Sequence, residues 1–243
     1  MTDDLTKDLT EIPVWRAALP DRPLSGLTVL VVEDSRFASE AVRLLCLRSG
    51  ARIRRADSMR SALKHLQTYR PGAIIVDIGL PDGDGLEMIR DLSQASPRVP
   101  VILGISGDSA HRAAALEAGA DNFLAKPIES LAEFQHAILS ALPVEARLAG
   151  PRSLPDDLVT PDETPLREDL AHVAQILAMA DDVSAIDYIA RFLAGVARSA
   201  HDSPLEDAAI ALARDHADGQ PLAMDLARIS TMVHDRLSAA PRA

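Results

Sequence analysis

The chain has 243 residues, with 25 basic and 36 acidic side chains and a formal net charge of -11 at neutral pH. That balance argues against a general binder of nucleic acid or of an anionic membrane, because both need a basic footprint. The single cysteine, Cys46, excludes an intrachain disulfide, suits a reducing compartment and reads as packing on an apolar helix, not as a nucleophile.

The start, Met1-Thr-Asp-Asp-Leu-Thr-Lys-Asp8, is acidic where a secretory signal is basic, and no apolar run approaches membrane-spanning length. A cytoplasmic protein is therefore expected. Residues 1–25, with Pro13, Pro20, Pro23 and the sole tryptophan Trp15, read as an N-terminal extension docked through that ring. Over 26–142 strand and helix signals alternate. Strands are expected near 28–33, 51–56, 73–77, 100–105 and 122–125, and helices near 36–49, 59–69, 86–95, 109–118 and 131–142. Five strand-helix units imply a doubly wound parallel sheet, since parallel neighbours need crossovers and helices must cover both faces.

The first, third and fourth strands are nearly continuous Val, Ile and Leu, as in strands buried on both faces. The second, Ala51-Arg-Ile-Arg-Arg-Ala56, is charged and suits an edge. The order 2-1-3-4-5 follows, with a cleft at the switch point beside the first and third strands. Ser130-Leu-Ala-Glu133 has capping-box spacing and starts the last helix of this unit.

Prolines 143, 151, 155, 161 and 165 mark an extended linker over 143–165, across which the two domains are expected to move. After it, residues 166–243 read as a small all-α bundle with helices near 166–180, 183–199, 204–217 and 221–239. Leu222, Leu226, Ile229, Val233 and Leu237 form one stripe on the last helix. The third is expected to begin with a capping box at Ser203-Pro204-Leu205-Glu206. Four short alanine-rich helices bury little area alone, so self-association is the leading expectation for this domain.

Four pieces of chemistry follow the apolar ends of strands. They are Glu33-Asp34 after Val29-Leu-Val-Val32, Asp77 after Ala73-Ile-Ile-Val76, Ser106 after Val101-Ile-Leu-Gly-Ile105, and Lys126 after Phe123-Leu-Ala125. In a parallel sheet those ends lie on one edge, so the four converge on one pocket. Phosphoryl transfer needs a nucleophile, a cation and fixed donors around the group in flight. Asp77 is the candidate nucleophile, since a carboxylate can form an aspartyl phosphate. Glu33 and Asp34 would join it around a hard divalent ion such as Mg²⁺. Lys126 would counter the charge of Asp77 and contact a phosphoryl oxygen, with the Ser106 hydroxyl on another. Each group alone reads as a cap, a turn residue or a surface side chain; their joint occurrence carries the weight.

Residues 27–142 resemble the flavodoxin-like receiver domain of two-component response regulators. The resemblance rests on Val-Val-Glu33-Asp34-Ser, Val-Asp77-Ile-Gly-Leu-Pro81-Asp-Gly-Asp-Gly85, Ile-Ser106-Gly and Ala-Gly119-Ala-Asp-Asn-Phe-Leu-Ala-Lys126-Pro127. It implies that Asp77 receives a phosphoryl group from a histidine kinase or phosphotransfer protein. Mg²⁺ would then be held by Glu33, Asp34, Asp77 and the backbone carbonyl of Gly79, and Ser106 and Lys126 would hold phosphoryl oxygens. Ser106 and Phe123 match the switch positions, the ring turning inward as the hydroxyl moves, and the Lys126-Pro127 bond is often cis in the family. Two departures bear on the conformational output: the segment from Ser106 to Lys126 is shorter than usual, and Gly107 stands where alanine is frequent.

The leading function is a phosphorylation-controlled signalling switch, with no enzymatic activity beyond its own phosphorylation and dephosphorylation. Its helical domain would form a homodimer or bind an output protein. One alternative is an enzymatic helical output, a phosphotransferase or phosphatase. The histidines at 172, 201, 216 and 234 invite it but read as solvated helix faces, and His172 is followed by Val-Ala-Gln-Ile without the glycine of phosphotransfer domains. Another alternative is a transcription factor. Against it, residues 151–243 carry 8 basic and 16 acidic side chains, a poor match to a phosphate backbone.

Overall fold

A computed structural model describes residue 19 and residues 21–142, 155–179 and 184–239. Trp15 and the first half of the expected linker lie outside the described residues. In chain order the first unit is β1 (Thr28–Val32), α1 (Arg36–Ser49), β2 (Arg52–Ala56), α2 (Met59–Thr68), β3 (Ala73–Asp77), the short pair β4 (Gly79–Leu80) and β5 (Gly83–Asp84), α3 (Gly85–Gln94), β6 (Val101–Ser106), α4 (His111–Ala118), β7 (Asn122–Ala125) and α5 (Leu131–Ala141). The main sheet is parallel, with the order β2-β1-β3-β6-β7. This is the expected doubly wound arrangement with charged β2 at an edge.

Alternate residues of each strand face opposite layers. Val29, Val31, Ile75, Leu103 and Ile105 pack with Val42 and Leu45 of α1 and Phe134 and Ile138 of α5. Leu30, Val32, Ile74, Val76 and Ile102 pack with Ala62 of α2, Met88 and Ile89 of α3 and Ala115 of α4. Ser130 caps α5 as expected, its side chain accepting from the Glu133 N–H. Cys46 is fully buried in the first layer, and burial pushes its thiol up to about 12. A thiol reagent added at mildly alkaline pH is therefore expected to leave Cys46 unmodified in the native chain and to react with it after denaturation.

The β4–β5 hairpin was not anticipated, because two-residue strands leave no periodic signal. It makes the turn after Asp77 a built element. Asp82 accepts the N–H groups of Met59 and Arg60 at 2.8 and 3.0 Å, and Asp84 caps α3 through Leu86 N–H at 2.8 Å. Gly85 is required by close approach, since a Cβ there would lie 2.1 Å from the Asp77 carbonyl oxygen.

Both expected boundary segments contribute to the core. Leu24, from the end of the extension, is fully buried beside Leu27. In the second half of the linker, Val159 is buried in the same layer, and its N–H donates to the Glu129 carbonyl at 2.9 Å. Leu131 N–H donates to the Asp157 carbonyl at 3.0 Å, so this stretch is strapped along the start of α5. The second half of the expected linker is thus packed on the first unit, with an apolar residue among the prolines as its anchor.

The helical domain contains α6 (Glu163–Met179), α7 (Ser184–Ser199), α8 (Ser203–Ala217) and α9 (Ala223–Ser238). α6 begins ahead of the expected position because Pro165 fits its first turn, where no N–H partner is needed. Leu170, Val173, Ile189, Leu193, Val196, Leu212, Ile229 and Val233 form its core, with Leu222, Leu226 and Leu237 of the expected stripe packed at its margin. The cap of α8 is Asp202, not Ser203. The Asp202 carboxylate accepts from Leu205 N–H and pairs with Arg236, which holds its pKa below the usual value, and a serine hydroxyl offers no such pairing.

Candidate functional site

Parallel pairing aligns Val32 with Val76, Asp77 with Ile105 and Ser106 with Ala125, which brings the expected residues to one edge of the sheet. Lys126 is at the centre. Its Nζ lies 2.9 Å from Asp77 Oδ2 and 2.7 Å from Glu33 Oε2, and all three residues are buried. Burial works against the ammonium charge, but the neighbouring Asp77 and Glu33 carboxylates outweigh it and hold the Lys126 pKa above its usual value. The Lys126–Pro127 bond is cis.

Glu33 Oε1 accepts from Ser35 N–H at 3.1 Å, and its Oε2 faces the Lys126 ammonium at 2.7 Å. One oxygen each of Glu33, Asp34 and Asp77 lies within 4.8 Å of the others. Glu33 is pushed well above the usual carboxylate range, by burial first and by Asp77 second. Burial likewise raises Asp34 to about 7, against the opposing pull of Lys126. An all-oxygen set with surplus negative charge fits a hard divalent cation. Gly79 lines the same cleft.

Ser106 makes two contacts that the sequence did not suggest. Its Oγ accepts from Asp108 N–H at 3.1 Å and lies 2.9 Å from His111 Nδ1. His111 opens α4 two residues after the expected start and lines the cleft, so the short segment after Ser106 places an imidazole there. Phe123 is already buried in the second core layer, where a Cβ added at Gly104 would come within 3.3 Å of its ring. Gly107 lies beside Arg198 of α7: a Cβ there would come within 2.6 Å of Nη1, the mobile end of that side chain.

Helix α7 forms the far wall of this cleft, which has a volume of about 1050 Å³ and includes Arg191, Phe192, Gly195 and Arg198. Tyr188, on the same helix, donates its hydroxyl to Asp34 Oδ2 at 3.1 Å. The available signal was an aromatic pair, Tyr188 and Phe192, one turn apart on an amphipathic helix; nothing local links Tyr188 to Asp34, 154 residues away. None of the four histidines singled out in the helical domain lines the cleft. His172 is exposed, edge-on to Phe192, His201 lies 2.8 Å from Glu129 and His216 lies 3.5 Å from Asp187.

Residues 29–138 match the family described as "Response regulator receiver domain". The KDP operon transcriptional regulatory protein KdpE of Escherichia coli (strain K12) is 37% identical over 131 residues, which are 54% of this chain and 56% of that protein. Response regulator MprA of Mycolicibacterium vanbaalenii is 35% identical over 114 residues, 46% of this chain and 49% of that protein. The chain thus spans about half the length of the curated relatives it matches. Among solved structures, the receiver domain of sensor histidine kinase PA1611 from Pseudomonas aeruginosa PAO1, described with a magnesium ion coordinated in its active site cleft, is 27% identical with a TM-score of 0.42, covering 48% of this chain and 97% of that one.

Proposed function

Residues 29–138 are a response regulator receiver domain, and on that premise we propose that the chain accepts a phosphoryl group on Asp77 from a histidine kinase or phosphotransfer protein. The single observation that carries the reading is the Lys126 ammonium bridging Glu33 and Asp77 in a cleft that also holds Asp34 and Ser106. An Asp77 carboxylate oxygen attacks phosphorus while the bond from phosphorus to the donor breaks, leaving an aspartyl phosphate. Lys126 follows the charge outward to a phosphoryl oxygen. Ser106 exchanges its His111 contact for another phosphoryl oxygen. Glu33, Asp34, Asp77 and the Gly79 carbonyl would hold Mg²⁺, whose bound charge neutralises the phosphoryl oxygens. Ser106 and Phe123 are assigned as the switch pair.

The receiver, residues 26–142, controls the helical domain, residues 166–243, as a dimerisation or protein-interaction module in the cytoplasm. A DNA-binding output is the second reading. It is favoured by the transcriptional role in KdpE's name, and opposed by the 16 acidic against 8 basic side chains of residues 151–243. An enzymatic output has no supporting cluster among the described residues of the helical domain.

Light scattering of the full chain with Mg²⁺, with and without beryllofluoride as a stand-in for the phosphoryl group, tests the control of assembly. The solution mass is expected to rise on addition of beryllofluoride. An unchanged mass would overturn phosphorylation-controlled dimerisation and direct the search to a separate output partner.

A further inference from the structure

The helical domain does more than sit beside the receiver. Its α6 carries Asp169, which is 2% exposed and whose two carboxylate oxygens take three donors: Ser35 Oγ at 2.8 Å, Arg36 N–H at 2.9 Å and Phe37 N–H at 3.0 Å. These are the cap and first residues of α1, directly after Asp34. The side chain of Asp169 therefore satisfies helix-terminal N–H groups that otherwise have no partner within the helix. Arg36 adds an exposed pair with Glu168 at 2.8 Å.

Beside this anchor, α7 sends Tyr188 to Asp34. The Tyr188 ring lies 5.5 Å from that of Phe192, a packing that sets where the hydroxyl points. Nearly three turns after Tyr188, Arg198 lies beside Gly107 and is held by Glu206 through Nε at 2.7 Å. The receiver edge is thus clasped at Asp34, at the start of α1 and at Gly107. All three contacts come from the C-terminal helices.

We infer that Tyr188 is a positioning residue for the cation site, so that divalent-cation binding and docking of the helical domain favour one another. The inference rests on the proposed role of Asp34 as a cation ligand. A carboxylate that ligates a cation through one oxygen needs its other oxygen fixed, and a hydrogen-bond donor on that second oxygen sets the orientation of the ligand. Tyr188 is such a donor, supplied from a different domain. Removing its hydroxyl leaves Asp34 free to turn, and the cation loses a preset ligand. Linkage makes the effect reciprocal: whatever tightens the cation by docking α7 must also tighten docking when the cation binds. Cation occupancy is thereby reported to the output helices before any phosphoryl group arrives.

The test uses the full chain and Mn²⁺, an oxygen-seeking divalent ion whose free form is read directly by electron paramagnetic resonance. Tyr188→Phe keeps the ring and removes only the hydroxyl; it is expected to weaken Mn²⁺ binding by about tenfold. Asp169→Asn, which weakens the anchor without touching the cation residues, is expected to shift affinity in the same direction. In hydrogen exchange, Mn²⁺ is expected to slow the amides of α7 in the wild-type chain but not in Tyr188→Phe. Unchanged or tighter Mn²⁺ binding by Tyr188→Phe would overturn the inference, even if the variant melts at a lower temperature, because a purely structural tyrosine changes melting without changing affinity. If the wild-type chain binds no Mn²⁺, the cation site assigned under the proposed function falls, and this coupling with it. If the wild-type chain binds Mn²⁺ and only the Tyr188→Phe effect is missing, the coupling alone falls.

Discussion

Lys126→Met is expected to destabilise the cation-free chain by about 3–5 kcal/mol, the range found when one partner of a buried ion pair is removed. Methionine is one atom shorter than lysine but keeps an unbranched apolar stem of similar bulk, so the loss is chiefly electrostatic. In the native chain the ammonium lies within 2.9 Å of both Glu33 and Asp77. Without it, three carboxylates share a buried edge with no compensating charge, and Glu33 is already pushed above its usual range by burial and by Asp77. Mg²⁺ is expected to recover part of the lost stability, because it supplies positive charge to the same oxygens, and its stabilising effect should be larger in the variant than in the wild-type chain. Urea unfolding of both chains with and without Mg²⁺ reads all four values. A variant as stable as wild type without the cation would contradict the account of this buried cluster.

Asp77→Asn is expected to abolish phosphoryl uptake from a small acyl phosphate donor while leaving the fold intact. The amide keeps the volume of the side chain and an acceptor oxygen for Lys126 Nζ, which lies 2.9 Å from Asp77 Oδ2 in the native chain. It lacks the nucleophilic carboxylate on which the chemistry depends. The same variant should no longer change mass with beryllofluoride. Its urea midpoint should stay close to wild type, which separates loss of the nucleophile from loss of the fold.

The sheet and its edge residues are legible in the sequence because they depend on local patterns. Runs such as Ala73-Ile-Ile-Val76 read as strands buried on both faces, and Arg52, Arg54 and Arg55 mark an edge. Parallel topology then places the residues after each run together without further information, and Lys126, Glu33 and Asp77 do meet. What escaped had no local pattern. Strands β4 and β5 are two residues each, too short for periodicity. The His111 contact depends on how a short loop turns. Docking of the helical domain uses polar contacts between residues far apart in the chain, among them Asp169 to Ser35 across 134 residues and Tyr188 to Asp34 across 154. A proline-rich stretch reads as free chain because Val159, a buried anchor among its described residues, looks like any isolated valine.

The departure at Gly107 shows how such contacts leave a trace. In the sequence it is a glycine next to Ser106 with no evident purpose. In the structure it is the place where Arg198 crosses the receiver edge, and any side chain there would have to displace the guanidinium. A small residue beside a functional one can thus record the approach of a distant helix. The companion signal, Glu206 holding Arg198, lies on α8.

Chemical location of the phosphoryl group tests the central claim most directly. The wild-type chain, treated with a small acyl phosphate donor and Mg²⁺, is reduced with borohydride, which converts an acyl phosphate to an alcohol, and its peptides are sequenced by mass spectrometry. The account predicts conversion of Asp77 alone to the corresponding alcohol, homoserine. Conversion at another carboxylate, or no conversion in a chain that remains folded and bound to Mg²⁺, would contradict it.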